Sequence, residues 1–548
     1  MLFENYYVTL QAQCLMTVSI SQIFWSWTRT INRNHELMAQ ASRTKRTIQN
    51  SRMALVLFVA QVFVGFYSRK IFLDYLGDEV IGLNTTLGNI LGFLNLAELG
   101  IGMAIATSLY QPIHDENHET VCEIMSVQGI LYKRIALLLC ILGVIVMLFL
   151  PFFFPDTECG LAYVELAFAV FMFGSITSYL WNYRSVLISV DQKDFKLTPW
   201  RHLVRYAVMC LQIFSLIVLK WGIWGWLMWE LVGNVATVFV INYVLHKEYP
   251  WMRSSDIPGK ELLKKYKHLM TKTKQLFVHK LGYFALKQTT PIIIYAYVSL
   301  TMVTYYGNYI IITGYVSTLL NVIFGSMSAS IGSLVADRQR ARTLEVFWEL
   351  FSSRIWIAFA ACVGLYLFTG PLISLWLGSK YVLDNTTLLL ILIGVFIQLS
   401  RSIVDSFKDA YQLFADVWAP IVESIINVGC SILFGYLWGL NGILLGSSVS
   451  LVLIVLLWKP YYLFRHGLKA SCMAYYMQYA LHIVLLSVCA YISVTMINIP
   501  AQEGFFLLIA PIPNFLLFVV LSFVMLYLTT KGMRQFAQRI IRIITHRI

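Results

Sequence analysis

The stretch IALLLCILGVIVMLFLPFFF, residues Ile135–Phe154, contains no charged residue. A helix needs roughly 20 mainly apolar residues to cross the hydrocarbon core of a membrane. Runs that are as long or nearly as long occur at Tyr206–Leu219 and Phe505–Leu528. Over 548 residues the chain is 58% hydrophobic and only 13% charged, about half the charged share of a soluble protein. The sequence therefore predicts an all-α polytopic membrane protein without a large soluble domain.

About fourteen spanning helices account for the apolar segments of the chain. When these spans alternate in direction, most Lys and Arg residues of the loops fall on one side of the membrane. The positive-inside rule then places both termini in the cytoplasm. The predicted spans are 53–73, 81–108, 131–154, 162–188, 203–220, 223–245, 277–299, 303–333, 355–378, 386–411, 417–437, 440–461, 473–497 and 504–529.

The longest interior loop, 246–276, is basic and divides the first six spans from the rest. Six plus six spans predict a parallel repeat about an axis normal to the membrane, and transporters commonly bind substrate between such repeats. The apolar run near the N-terminus lacks a preceding basic segment, unlike a signal peptide, and we expect the natural start at Met38. The predicted divisions are a cytoplasmic extension at 1–51 (of which 1–37 precedes that start), a six-helix bundle at 52–245, the basic cytoplasmic loop at 246–276, a second six-helix bundle at 277–461, two extra helices within 473–529 and a basic cytoplasmic tail at 530–548.

The formal charge of +13 has two interpretations. A basic chain can bind nucleic acid, but Lys and Arg of cytoplasmic loops explain the same charge, and we expect no nucleic-acid partner. The chain has no GxxxxGK[ST], GxSxG or HExxH motif and no CxxC among its nine cysteines. His114 and His118 lie beside acidic residues, and a solvated polar loop explains them better than a metal site. We therefore predict no cofactor, no metal and no enzymatic activity.

Charged residues at membrane depth cost roughly 2.5–3.5 kcal/mol each on insertion scales and usually face a cavity or each other. Lys280 and Lys287 are seven residues apart and share a helix face. Arg401, Asp405 and Asp409 form one stripe, which pairing within the helix also explains. The candidate substrate-binding residues are Lys287, Lys280, Arg69, Lys70, Arg401, Asn308 and Asn321; the candidate ion-coupling residues are Glu98, Asp405 and Asp409. The basic residues suit an anionic cargo such as phosphate or pyrophosphate, and the acidic ones suit coupling to H⁺ or Na⁺.

Several motifs resemble those of bacterial lipid-linked oligosaccharide flippases of the Wzx type. They are FLDYLGDEVIGL at Phe72–Leu83, LAELGIG at Leu96–Gly102, YYGNY at Tyr305–Tyr309 and FKDAY at Phe407–Tyr411. These flippases belong to the MOP superfamily, with the MATE multidrug exporters and the lipid II flippase. The chain departs from their pattern at Thr289-Thr290-Pro291, where an acidic residue often occurs, which puts an ion-coupling role for that position in doubt.

This resemblance implies two bundles around a central cavity and a polyprenyl-pyrophosphate-linked glycan as the cargo. The glycan would be a repeat unit of O-antigen, capsule or exopolysaccharide. Cationic residues would hold the pyrophosphate, aromatic and Asn residues would hold the sugars, and the lipid tails would stay among membrane lipids while the bundles rock. It also implies the bacterial cytoplasmic (inner) membrane as the location and other polysaccharide assembly proteins as partners.

Two other functions fit parts of the sequence. A drug or cation antiporter of the same fold predicts acidic residues in the cavity, and Glu98 supports it. A membrane glycan polymerase predicts that membranes holding only this protein and lipid-linked repeat units lengthen the glycan. The short extracytoplasmic loops argue against the polymerase.

Overall fold

The computed structural model describes residues 43–545 except 99, 156, 268, 270–287, 326–327, 337–338, 414 and 497–503. Most of these residues are helical, and none of them lies in a β-strand. Ten helices in this part of the chain are long and apolar enough to cross a membrane. The predicted fold class, an all-α multi-pass membrane protein, is confirmed.

The described residues before the gap at 270–287 form nine α-helices. They are α1 Arg43–Leu76, α2 Asp78–Leu94, α3 Ile101–His114, α4 His118–Phe153, α5 Leu161–Leu180, the short α6 Val186–Val190, α7 Asp194–Ile217, α8 Gly222–Glu248 and the short α9 Gly259–Lys265. The predicted span 81–108 falls on α2 and α3, and the predicted span 203–220 falls on α7. None of these three helices is among the ten that are long and apolar enough to cross a membrane. The first part of the predicted span 277–299, up to 287, lies outside the described residues, and the chain is helical at 288–297.

The second part of the chain is also helical. Its helices are α10 Leu300–Gly325, α11 Ser328–Ala336, α12 Arg340–Trp376, α13 Asn385–Ser400, α14 Ser402–Ala410, α15 Trp418–Ser450, α16 Cys472–Met496, the short α17 Phe506–Ile509, α18 Ile512–Thr529 and α19 Lys531–Thr545. Helix α15 continues to Leu468 through π-helical turns at Leu451–Trp458 and Phe464–Leu468.

The continuous helical segment Trp418–Leu468 is in fact two antiparallel spans. Trp438 and Gly439 have non-helical backbone angles, and the positive φ of 56° at Gly439 is one that glycine adopts at little cost. The two arms on either side of this turn are in contact, since the Ser431 hydroxyl donates to the Ile443 carbonyl at 3.0 Å. The hairpin explains why the sequence predicts a boundary between 437 and 440.

The predicted span 81–108 is broken in the middle. Helix α2 ends at Leu94, a 3₁₀ turn covers Asn95–Glu98, and α3 begins after Gly100. Gly100 has a φ of 95°, in the left-handed region where a side chain would be strained. The break places Glu98 beside backbone that does not belong to a regular α-helix.

Buried apolar side chains form three main clusters. One takes its members from 76–269 and Leu300, and a second takes them from 331–533. The third joins α1 and α2 to α10, α12, α13 and α15. Outside these clusters large side chains such as Leu148 and Phe152 are exposed, as expected for a surface that faces lipid. The division into two six-helix bundles with two extra helices stays a prediction.

Candidate functional site

The two parts of the chain are joined where α1 and α2 pack on α10. Arg69 Nε donates to Asn308 Oδ1 at 2.8 Å, and its guanidinium also donates to the Thr304 carbonyl at 3.3 Å. Asn308 is fully buried, and its amide nitrogen has no hydrogen-bond partner. The structure thus brings together two predicted substrate residues, but they bind each other. The neighbouring Lys70 is exposed.

Further contacts lie at the same end of the molecule. Trp376 Nε1 donates to the Phe66 carbonyl at 2.8 Å, and Lys380 lies 3.6 Å from Asp78. A hydrogen bond with Tyr381, opposed by burial, raises the pKa of Lys380, and the charge of Asp78 raises it further. We call this region the closed end; its residues are Phe66, Arg69, Asp78, Thr304, Asn308, Trp376 and Lys380.

A cavity of about 300 Å³ lies within the second part of the chain, between α10, α12, α13 and α14. It brings the predicted stripe at α14 together with a predicted site residue of α10. The residues are Asn321, Arg401, Asp405 and Asp409. The hydroxyls of Ser402 and Ser406 and the amide of Gln398 also line it, so the cavity offers both charged and neutral hydrogen-bonding groups.

Arg354 is the most buried charged residue of this cavity, with 1% of its surface exposed. Its guanidinium donates to the Phe324 carbonyl at 3.1 Å and to the hydroxyls of Ser402 and Ser406, both at 3.4 Å. Its Nε atom has no partner, and no carboxylate among the described residues lies within ion-pair distance. A buried cation held only by neutral groups is available to an anion.

The acidic residues of the cavity are in a different state. Arg401 Nε lies 2.7 Å from Asp405 Oδ2, which is the pairing that their spacing predicts, and Lys459 lies 4.0 Å from Asp405 Oδ1. Asp409 is exposed. Asp405 is therefore neutralised from two sides, while Arg354 keeps its positive charge.

Arg354 and Lys459 were absent from the predicted site. The predicted ninth span begins at 355, which places Arg354 at a membrane boundary where arginine is common. Helix α12 in fact starts at Arg340. Lys459 lies near the end of the predicted span 440–461, where the same reasoning applies. The stripe of Arg401, Asp405 and Asp409, together with Asn321, was the signal in the sequence that pointed to this location.

Glu98 lies in the first part of the chain, at the break between α2 and α3. Tyr132 OH donates to Glu98 Oε1 at 2.7 Å. Tyr179 OH lies 3.2 Å from Glu98 Oε2 and 3.1 Å from Asn95 Oδ1, and its single proton can serve one of them at a time. No Lys or Arg of the described residues forms an ion pair with Glu98. Oxygen atoms in this arrangement can hold a proton or a hard cation.

Lys280 and Lys287 lie outside the described residues, so their roles stay predictions.

Neither a protein-family model nor a curated protein sequence matches this chain. Among solved structures, it is similar to the lipid II flippase MurJ in an inward closed conformation, with a TM-score of 0.59 and 15% identity over 86% of this chain and 99% of that one. It is also similar to a multidrug resistance MATE family transporter of the MOP superfamily in an inward-facing conformation, with a TM-score of 0.53 and 15% identity over 75% and 95% of the two chains. The chain therefore has the fold of these transporters.

Proposed function

We propose that this chain is a flippase that moves a polyprenyl-pyrophosphate-linked oligosaccharide across the bacterial inner membrane by alternating access. Arg354 carries the proposal, because it is a buried cation that opens on a cavity and has no acidic partner among the described residues. A buried charge without a counter-charge is costly unless a ligand or water satisfies it. The ligand that fits is an anion with hydroxyl groups attached.

Arginine suits this task because its planar guanidinium forms two parallel hydrogen bonds with phosphate oxygens. Arg354 would bind the pyrophosphate first. Arg401, whose Nε now lies 2.7 Å from Asp405, would also bind the pyrophosphate while keeping part of its interaction with Asp405. Asn321 and Gln398 line the same cavity and would bind sugar hydroxyls. The lipid tails would remain in the bilayer beside the protein.

Release on the other side of the membrane requires the closed end to open. The contacts of Arg69 with Asn308 and of Lys380 with Asp78 would then separate as the two parts of the chain rock. Binding of H⁺ or Na⁺ at Glu98, in the first part of the chain, would couple this movement to an ion gradient.

The test is translocation of a labelled polyprenyl-pyrophosphate oligosaccharide by the purified chain in proteoliposomes. A hydrogen bond to a charged group contributes about 1.5–3 kcal/mol, so Arg354→Gln should lower the rate roughly 10- to 100-fold. Arg354→Lys keeps the charge and should retain part of the activity. Arg342→Gln, which removes an exposed arginine from the same helix away from the cavity, is the matched control. A rate for Arg354→Gln equal to that of wild type contradicts the proposal.

A drug or cation antiporter is the second candidate, and the geometry of Glu98 favours it. A carboxylate held by two tyrosine hydroxyls, without an ion-pair partner among the described residues, can exchange a proton for a cationic drug. This candidate predicts efflux of cationic drugs from proteoliposomes with a proton gradient and loss of efflux in Glu98→Gln. Translocation of lipid-linked sugar without drug efflux decides for the flippase.

A further inference from the structure

The last helix of the described chain leaves the membrane at a sharp bend. Helix α18 ends at Thr529, and Thr530 has extended backbone angles, φ −119° and ψ 136°. Helix α19 begins at the next residue. A helix that follows a membrane span after one extended residue starts at the level of the lipid headgroups.

The first half of α19 is fixed against α12. Met533 is fully buried, and Gly532 is so close to α12 that a Cβ atom there would lie 2.2 Å from the Trp348 carbonyl oxygen. Arg539 lies 2.8 Å from Glu349. These contacts determine which faces of α19 remain free.

The free part of α19 is both apolar and basic. Ile540 and Ile541 are 39% and 58% exposed, and they continue the helix face that buries Met533 and Ala537. Lys531, Arg534 and Arg542 are exposed around them, and the sequence Lys531–Thr545 contains no acidic residue. An amphipathic helix of this kind, with Lys and Arg on its polar face, lies in the plane of a membrane interface.

We propose that α19 is a docking surface for the anionic headgroups of the adjacent membrane leaflet. Ile540 and Ile541 insert at the boundary between headgroups and acyl chains, while Lys531, Arg534 and Arg542 bind lipid phosphates. Charge complementarity identifies the occupant, because basic residues beside exposed isoleucines fit a surface that is negative outside and apolar beneath.

The full chain is reconstituted in nanodiscs of phosphatidylcholine with phosphatidylglycerol, and retained phosphatidylglycerol is measured by native mass spectrometry. Wild type should retain it in preference to phosphatidylcholine. Arg534→Gln/Arg542→Gln should lower that preference by roughly fivefold for each cation removed. Lys133→Gln/Arg134→Gln, which removes two exposed cations from α4, is the matched control and should retain it.

Hydrogen exchange of the amides in α19 gives an independent measurement. Exchange should be slower in discs with phosphatidylglycerol than in phosphatidylcholine alone, and Ile541→Ser should remove most of that difference. The proposal is wrong if Arg534→Gln/Arg542→Gln retains phosphatidylglycerol like wild type, or if the control loses as much. It is also wrong if exchange in α19 is the same in both kinds of disc.

Discussion

Glu98, which is partly buried, and Arg354, which is fully buried, are charged residues in two different parts of the molecule, and neutral groups hold both. Tyrosine hydroxyls donate to Glu98, while Arg354 donates to two serine hydroxyls and a backbone carbonyl. Asp405, by contrast, is paired with Arg401 and Lys459. A charge satisfied by dipoles can still attract an ion of opposite sign, whereas a charge in an ion pair has largely lost that ability. The comparison teaches that the two parts of the chain are suited to ligands of opposite charge.

The surroundings of the two charges also differ. Arg354 lines a cavity of about 300 Å³ that also offers hydroxyl and amide groups, which suits a polar anionic group such as a phosphate. Glu98 is enclosed by Tyr132, Tyr179 and Asn95 at a helix break, which suits a ligand as small as a proton or a metal cation. Cargo and coupling ion would therefore bind at separate places.

Separate removal of the two charges should have the largest effect. Arg354→Gln should weaken binding of a pyrophosphate-linked lipid roughly 10- to 100-fold, because it removes a charge-assisted contact. Glu98→Gln should leave that affinity unchanged and abolish the dependence of transport on the cation gradient. Lipid affinity by native mass spectrometry and transport with and without the gradient measure the two effects. If Glu98→Gln also lowers lipid affinity tenfold, the two sites are not separate.

Tyr132 and Tyr179 should contribute unequally to the environment of Glu98. Tyr132 is 2.7 Å from the carboxylate, while Tyr179 is 3.2 Å away and also lies beside Asn95. Tyr132→Phe should lower the free energy of unfolding by about 1.5–3 kcal/mol, and Tyr179→Phe should lower it less. Thermal unfolding of both variants in the same detergent measures this difference. Equal losses would show that the shorter hydrogen bond is not the stronger one.

The sequence predicted the membrane fold better than it predicted the site. Spans such as α4, and the two spans that meet at the turn of Trp438 and Gly439, follow from apolar length, which is visible in one sequence. The break at Gly100 was missed, because apolar residues continue across it and a left-handed φ leaves no periodic signal. Arg354 was missed because its helix extends beyond the apolar run by which the span was delimited. Tertiary contacts decide both the position of the helix break and the burial of Arg354, and a single sequence does not show such contacts.

Gly100 determines where Glu98 lies, and its substitution should have an intermediate effect. With φ at 95°, Gly100→Ala should lower the free energy of unfolding by about 1–2 kcal/mol. Gly314→Ala is the control, because Gly314 lies inside α10, has no positive φ and would have no heavy atom within 4 Å of a Cβ. That variant should be neutral or more stable, since alanine favours a helix. Equal destabilisation by both substitutions would contradict the account of the break.

The ion pair at the closed end should contribute least to stability, because it is exposed. Lys380 and Asp78 are 3.6 Å apart, and the Lys380 side chain is 62% exposed. Such pairs contribute about 0.2–1 kcal/mol and weaken with salt. Because the pKa of Lys380 is raised, its contribution to stability is fully present below the ordinary lysine pKa of about 10.4 and is lost as the pH rises through the raised value.

A double-mutant cycle with Lys380→Gln and Asp78→Asn, measured by thermal unfolding at low and high salt, should give a coupling below about 1 kcal/mol that disappears at high salt. A larger coupling that persists in salt would mean that the closed end is held too strongly to open in each transport cycle, and the proposed rocking would then need another route.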